Sequence, residues 1–178
     1  MKADLDLLRR FELQLIPTQL HKSSIPVKVL GYGEISSIFQ IDNNEQLVYK
    51  RLPFFRTIES ARQYQSLYQH YCQILTDIGI NLPEDDVATI EIPDRLISVY
   101  FLQQRFSPEQ FCHNLIHHLE RPQLTRMIEH IVQTLKSIWQ YNLDQNGKLE
   151  TAVDAQLSNW VWLEDSKDQK LILVDTST

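Results

Sequence analysis

Residues 26 to 51 read PVKVLGYGEISSIFQIDNNEQLVYKR, and this stretch restricts the fold more than any other part of the chain. PVKVL, ISSIFQI and QLVYKR are β-rich runs. Gly31-Tyr32-Gly33 and Asp42-Asn43-Asn44, both turn chemistry, separate them. The pattern predicts three strands in an antiparallel meander. Pro53 closes the third, and Thr57 is placed to cap a helix that begins at Ile58 and carries Glu59 in its first turn. Tyr64, Tyr68, Tyr71, Leu75 and Ile78 follow at helical spacing, and Gly79 stands where a helix stops.

The flanks complete the outline. Leu5, Leu8, Phe11 and Leu15 predict a short amphipathic helix over residues 3 to 16, closed by Pro17. After PEDD at 83 to 86, read as a solvated acidic loop, LISVYFLQQR at 96 to 105 is strand-like. Phe111, Leu115 and Leu119, then Met127, Ile131, Leu135 and Ile138 beyond Pro122, predict one broken helix or two consecutive ones to about residue 141. WVWLE and KLILVD form a last hairpin across the turn Asp165-Ser166-Lys167-Asp168. Strands segregated from helices in this way give an α+β fold with a sheet-rich front lobe and a helical back lobe. The expected divisions are 1–24, an amphipathic helix and connector; 25–105, the sheet-rich lobe ending in a hinge; and 106–178, a partial helical lobe.

Charge narrows the function classes. Lys and Arg number 17 against 23 Asp and Glu, a net charge of -6. Nucleic acid is therefore disfavoured as a partner, because phosphate backbones select for basic excess. No run approaches the roughly 20 apolar residues that a bilayer-spanning helix needs, and the start of the chain lacks a signal-peptide core. Only Cys72 and Cys112 are present, so a reducing cytoplasm is the expected compartment.

Three local patterns carry chemistry. In GYGEIS, glycine either shapes a hairpin or lets backbone N–H groups approach a phosphate chain. A strand follows these glycines rather than a helix, which excludes the Walker and Rossmann arrangements. Lys50 lies among Leu47, Val48, Tyr49 and Leu52 on a half-buried strand, where an ammonium needs an anionic partner or must face solvent. Alternation allows only one of Lys50 and Arg51 to point inward. In DAQLSNWVW followed by LILVDTST, Asp154, Asn159 and Asp175 supply a proton acceptor and two oxygen ligands, a workable set for phosphoryl transfer with magnesium.

Together these patterns resemble the protein-kinase-like superfamily, closest to the atypical and small-molecule kinases such as the aminoglycoside phosphotransferase-like group. GYGEISSIF resembles the glycine-rich loop, VYK the β3 lysine motif, DAQLSN the catalytic loop with its D-x-x-x-x-N spacing, and VDTS the strand-end DFG. The resemblance covers roughly residues 25 to 178 and implies a two-lobed fold and an ATP/Mg-dependent phosphotransferase. Gly31, Gly33 and Ser36 would cover the ATP phosphates, with Ser36 in place of the third glycine, and Lys50 would contact them. Gln103 and Gln104, at the start of a hinge running to Phe106, would meet the adenine. Asp154 would be the catalytic base acting on an unidentified hydroxyl acceptor, and Asn159 and Asp175 would hold magnesium. The alternative is a catalytically inactive kinase-like module that binds nucleotide or a protein partner.

The chain also departs from the family pattern. Ala152-Val153 precede Asp154 where a histidine-containing pair is usual, Asp175-Thr176-Ser177 replaces DFG, and Glu59 is the only glutamate that the helix offers Lys50. The sequence stops three residues after Asp175. This leads to the expectation of a fragment of a longer protein, its last hairpin having little to pack on. His113, His117 and His118 are read as partly exposed helix histidines rather than a zinc site, and Tyr64, Tyr68 and Tyr71 as core packing.

Overall fold

The computed structural model describes residues 1–16, 19–32, 36–164 and 169–176, with the side chains of His21 and Tyr32 left out. Gly33, the turn 165–168 and Ser177 lie outside the described residues. The fold is α+β. The chain divides into two compact units, residues 1–67 with 84–105, and residues 68–83 with 106–178.

The first unit is a five-stranded sheet in the order β1-β2-β3-β5-β4. Its strands are β1 (Val27–Tyr32), β2 (Ser37–Ile41), β3 (Leu47–Phe55), β4 (Asp85–Ile90) and β5 (Ile97–Gln104), and each neighbouring pair is antiparallel. The β2–β3 turn places Asp42 and Asn43 at φ 56° and 54°, with the Asn44 N–H donating to the Ile41 carbonyl at 3.2 Å. Two left-handed central residues match the right-handed twist of a hairpin, and Asp and Asn tolerate that conformation best after glycine.

β4 corrects the reading of PEDD: Asp85 and Asp86 open a strand rather than a solvated loop. The Asp86 carboxylate accepts the Ala3 N–H at 2.7 Å, so an acid at the sheet edge ties down the N-terminal segment.

Both faces of the sheet are covered. Helix α1 (Leu5–Gln14) begins at Asp4, whose side chain accepts the Leu7 N–H at 2.9 Å, the expected work of an N-cap. Its Leu7, Leu8 and Phe11 pack with Phe39, Ile41, Tyr49, Ala88, Ile90, Tyr100 and Leu102 in one core. Helix α2 (Ile58–Asp77) begins at the predicted cap, the Ser60 N–H donating to Thr57 Oγ1 at 3.2 Å. On the other face, Tyr64 of α2 meets Phe101 edge-to-face at 6.1 Å. Gly79 ends the helix at φ 92°, with N–H bonds from Ile80 to the Leu75 carbonyl and from Gly79 to that of Thr76, each 2.9 Å. That paired arrangement is a Schellman stop.

The second unit holds the latter part of α2, helices α3 (Cys112–Leu115) and α4 (Arg121–Asp144), and the hairpin β6 (Trp160–Glu164) with β7 (Gln169–Leu173). The apolar run around Pro122 is therefore two helices, with Pro122 in the first turn of α4 behind a Glu120–Gln123 capping box. Because α3 ends at Leu115, His117 and His118 are not on a helix, and all three histidines are exposed.

The final hairpin, expected to have little to pack on, is well supplied with partners. Trp160, Trp162, Leu171 and Leu173 join Leu75, Cys112, Met127, Ile131 and Ile138 in one core. On the opposite side, Val161 and Ile172 pack with Phe106.

Candidate functional site

The sheet register decides where Lys50 and Arg51 project. Lys50 pairs with Ile38 and Phe101, while Arg51 pairs with Ser37 and Tyr100. Directly paired residues share a face and successive ones alternate, so Lys50 lies on the α2 face and Arg51 on the α1 face. The expectation that only one could point inward is corrected: each face carries a helix, and both side chains are half-buried.

On the α1 face, Arg51 Nε donates to Glu12 Oε2 at 2.8 Å and its Nη2 to Oε1. Tyr100 and Ser98 hydroxyls complete the shell around the same carboxylate. Burial raises the Glu12 carboxyl, but the hydrogen bonds from Arg51 and Tyr100 and the Arg51 charge outweigh it and hold the group below its ordinary 4.5. Glu12 went unnoticed in the sequence, since nothing local marks it as a partner of Arg51.

Gly31 sits in β1 beside an irregularity between Val29 and Gly31. It is not among the positive-φ glycines. A Cβ built there meets Ile38 Cδ1 at 3.8 Å, an ordinary contact. Neither conformation nor crowding inside the described residues therefore requires glycine. Ser36, just before β2, is 9% exposed, and its Oγ has no hydrogen-bond partner among the described residues. At the end of β5, Gln103 is half-buried and Gln104 exposed. The N–H groups of Gln104 and Arg105 donate to the Glu84 and Gln46 carbonyls at 3.0 and 2.8 Å. Glu59 lies exposed in the first turn of α2.

In the second unit Asn159 is tied on one side to Asp154 and on the other to the residue before Asp175. Asn159 ends a 3-10 turn, Leu157–Asn159, and is fixed by the next residue, the fully buried Trp160. Its Nδ2 donates to the Asp154 carbonyl at 3.3 Å. Its own carbonyl accepts the N–H of Val174, the residue before Asp175, at 2.9 Å. Asp154 is exposed, and its Oδ1 accepts the Gln156 N–H at 3.1 Å. Asp175 is half-buried two positions beyond the end of β7.

Two residues that sequence reasoning gave no part in the site hold these segments. Asn142 of α4 accepts the Glu150 and Thr151 N–H groups at 2.8 and 3.1 Å and donates to the Thr151 carbonyl at 2.8 Å. Tyr71, read as core, donates its hydroxyl to the Ala152 carbonyl at 2.7 Å. Burial, then the proximity of Cys72 and Asp175, pushes the Tyr71 phenol up to about 12, which keeps it a donor. Helical periodicity records which face is apolar, not what a hydroxyl reaches at its edge.

Among the described residues, no cluster of three or more His, Cys, Asp or Glu side chains is arranged to hold a metal ion, and no helix is long and apolar enough to cross a membrane. A search of curated proteins finds no match. A family model does match, over residues 13–178, a span that includes every candidate position above. The chain belongs to that family, DUF6206, a family of unknown function.

Proposed function

We propose that this chain is a two-lobed, protein-kinase-like phosphotransferase that uses ATP and magnesium to phosphorylate a hydroxyl acceptor. The observation that carries the reading is the double tie at Asn159, whose amide is bonded to the Asp154 carbonyl and whose carbonyl is bonded to the N–H beside Asp175. Two segments with no sequence similarity thereby offer a carboxylate base, an amide oxygen and a second carboxylate in one compact unit.

The donor chemistry fits the cofactors. Asp175 and the Asn159 Oδ1 are the hard oxygen ligands that magnesium takes alongside phosphates. Nδ2 is committed to Asp154, and Oδ1, which takes only a long 3.5 Å bond from the Ser158 hydroxyl, keeps a lone pair for a cation. Gly31 occupies a place where a Cβ would be tolerated, so a ligand approaching the backbone is a reason for glycine there. The buried Ser36 hydroxyl can donate to a phosphate oxygen. Lys50 and Gly33 would supply further phosphate contacts, and Gln103 and Gln104 would flank the base. Bound ATP and magnesium supply the phosphoryl group and neutralise its charge. The chain's own part is to orient these groups and to accept the acceptor's hydroxyl proton at Asp154.

Thermal stability with and without ATP and magnesium tests the reading. Ligand at 100 times its dissociation constant raises wild-type stability by about 2.7 kcal/mol, and Asp175→Ala abolishes most of that gain while remaining folded. Phosphate transfer or release is then lost in Asp154→Asn. Absence of any shift in wild type removes nucleotide from the function. A shift without transfer in wild type identifies a binding module instead of an enzyme.

A further inference from the structure

We propose that Tyr68 and Tyr71, three positions apart on α2, form a clasp that positions both acidic segments of the candidate site. Tyr71 holds the approach to Asp154 through the Ala152 carbonyl at 2.7 Å. Tyr68 holds the exit from Asp175 through Thr176, their hydroxyl oxygens 3.4 Å apart. The purpose assigned to the clasp rests on the phosphotransferase reading; the contacts do not.

Residues three apart lie on the same helix face, and this face continues as Leu75 and Ile78, which pack in the second unit's core without any polar group. Within the second unit's part of this face, the tyrosine hydroxyls at 68 and 71 are the ones that reach the two acidic segments. Both contacts bridge long separations in sequence, 81 and 108 positions. Tyr68 is 6% exposed and Thr176 3%, so water does not readily replace that contact. Ala152 and Val153 have no side-chain hydrogen-bonding group with which to anchor the approach to Asp154. The anchors are instead the Ala152 carbonyl, gripped by Tyr71, and Thr151, gripped by Asn142. Both tyrosines are positioning residues: their hydroxyls meet protein atoms, and they act on chemistry only through the segments they hold.

The test compares wild type, Tyr71→Phe and Tyr68→Phe in the full chain, because phenylalanine keeps the ring packing and removes only the hydroxyl. Hydrogen exchange without nucleotide is read over 150–156 and 172–176. Tyr71→Phe accelerates exchange in the first segment by about tenfold, the loss of one hydrogen bond, and Tyr68→Phe does so in the second. In an active wild type, kcat falls about tenfold in Tyr71→Phe while KM for ATP stays within about twofold. Unchanged exchange in both segments overturns the clasp, as does acceleration spread evenly into β1–β3. A loosened loop with wild-type kcat also overturns it. An inactive wild type whose Tyr71→Phe variant still loosens 150–156 leaves the clasp standing and refutes the phosphotransferase reading alone.

Discussion

Arg51 and Glu12, 39 positions apart, form a two-pronged ion pair between β3 and α1 in which the carboxylate is 3% exposed and the guanidinium 13%. Arg95 adds to it from the loop before β5, donating to the Glu12 carbonyl at 2.6 Å. Removing Glu12 as Glu12→Ala leaves a buried guanidinium uncompensated, and unfolding free energy falls by roughly 3–5 kcal/mol. Urea denaturation of the two proteins measures this, and a loss below 1 kcal/mol shows that the Arg51–Glu12 pair contributes little to holding α1.

The same pair sets an acid dependence. The folded-state value of Glu12 lies below the ordinary 4.5. Its contribution is therefore fully present above 4.5 and is lost as pH falls through the folded value. The stability of wild type relative to Glu12→Gln consequently declines as pH falls from about 5 through the lowered folded-state value and is constant from about pH 6 to 8. Urea midpoints across that range decide the matter, and parallel curves refute it.

Two glycines respond unequally to alanine. At Gly79, φ is 92° and no atom crowds the position, so Gly79→Ala suffers from conformation alone and loses about 1–2 kcal/mol. Gly31→Ala makes only an ordinary contact with Ile38 and keeps its melting temperature within a degree or two, at roughly 0.5 kcal/mol or less. Under the proposed nucleotide reading, Gly31→Ala lowers ATP affinity instead, which titration measures.

Asn142 satisfies three main-chain groups of the loop before Asp154. Asn142→Ala strands them and costs about 1–3 kcal/mol. Asn142→Asp keeps the two acceptor contacts and loses less. Equal stability of all three proteins by calorimetry contradicts this account.

The thiols differ in the same testable way. Burial pushes Cys112 up to about 12 and leaves it 0% exposed, whereas Cys72 is half-buried. Iodoacetamide at pH 8 modifies Cys72 first and reaches Cys112 only on unfolding, as intact-mass and peptide analysis will show. Equal native rates mean that α3 opens freely.

Much of this architecture was legible because its determinants are local. Thr57 and Gly79 bracket α2 by capping chemistry and Asp42-Asn43 dictate a hairpin, whereas Gly31 and Tyr32, read as a turn, are the last residues of β1, and Pro53, read as a strand end, lies inside β3. β4 was not legible. Its alternation runs through Val87, Ala88, Thr89 and Ile90, but two acids open the strand, and only its pairing with β5 makes Asp86 useful as an acceptor for Ala3. A helix carrying all three histidines was expected, because the apolar spacing from Phe111 to Leu119 is helical, but the chain leaves the helix after Leu115 and only His113 lies on it.

The candidate site divides along the same line. Asp154, Asn159 and Asp175 stand out by type and spacing. The bonds that join them end on the main-chain carbonyls of Asp154 and Asn159, and the tie to Val174 is wholly main-chain, so apart from the Asn159 amide the partners leave no trace in the sequence. Glu12 and Tyr71 act across long stretches of chain, and their partners are fixed only once helices dock.

The strand order has a consequence for synthesis. β3 sits between β2 and β5, and β4 reaches the sheet only through β5. As the chain emerges from the ribosome, the meander forms early, but one edge of β3 offers unpaired N–H and C=O groups until Ile97–Gln104 has been made. Throughout that interval Tyr49 and Leu52 border a template to which a neighbouring nascent chain can add a strand. A helper that shields this edge, or a slow codon placed after residue 104 rather than before it, governs yield without altering the native state.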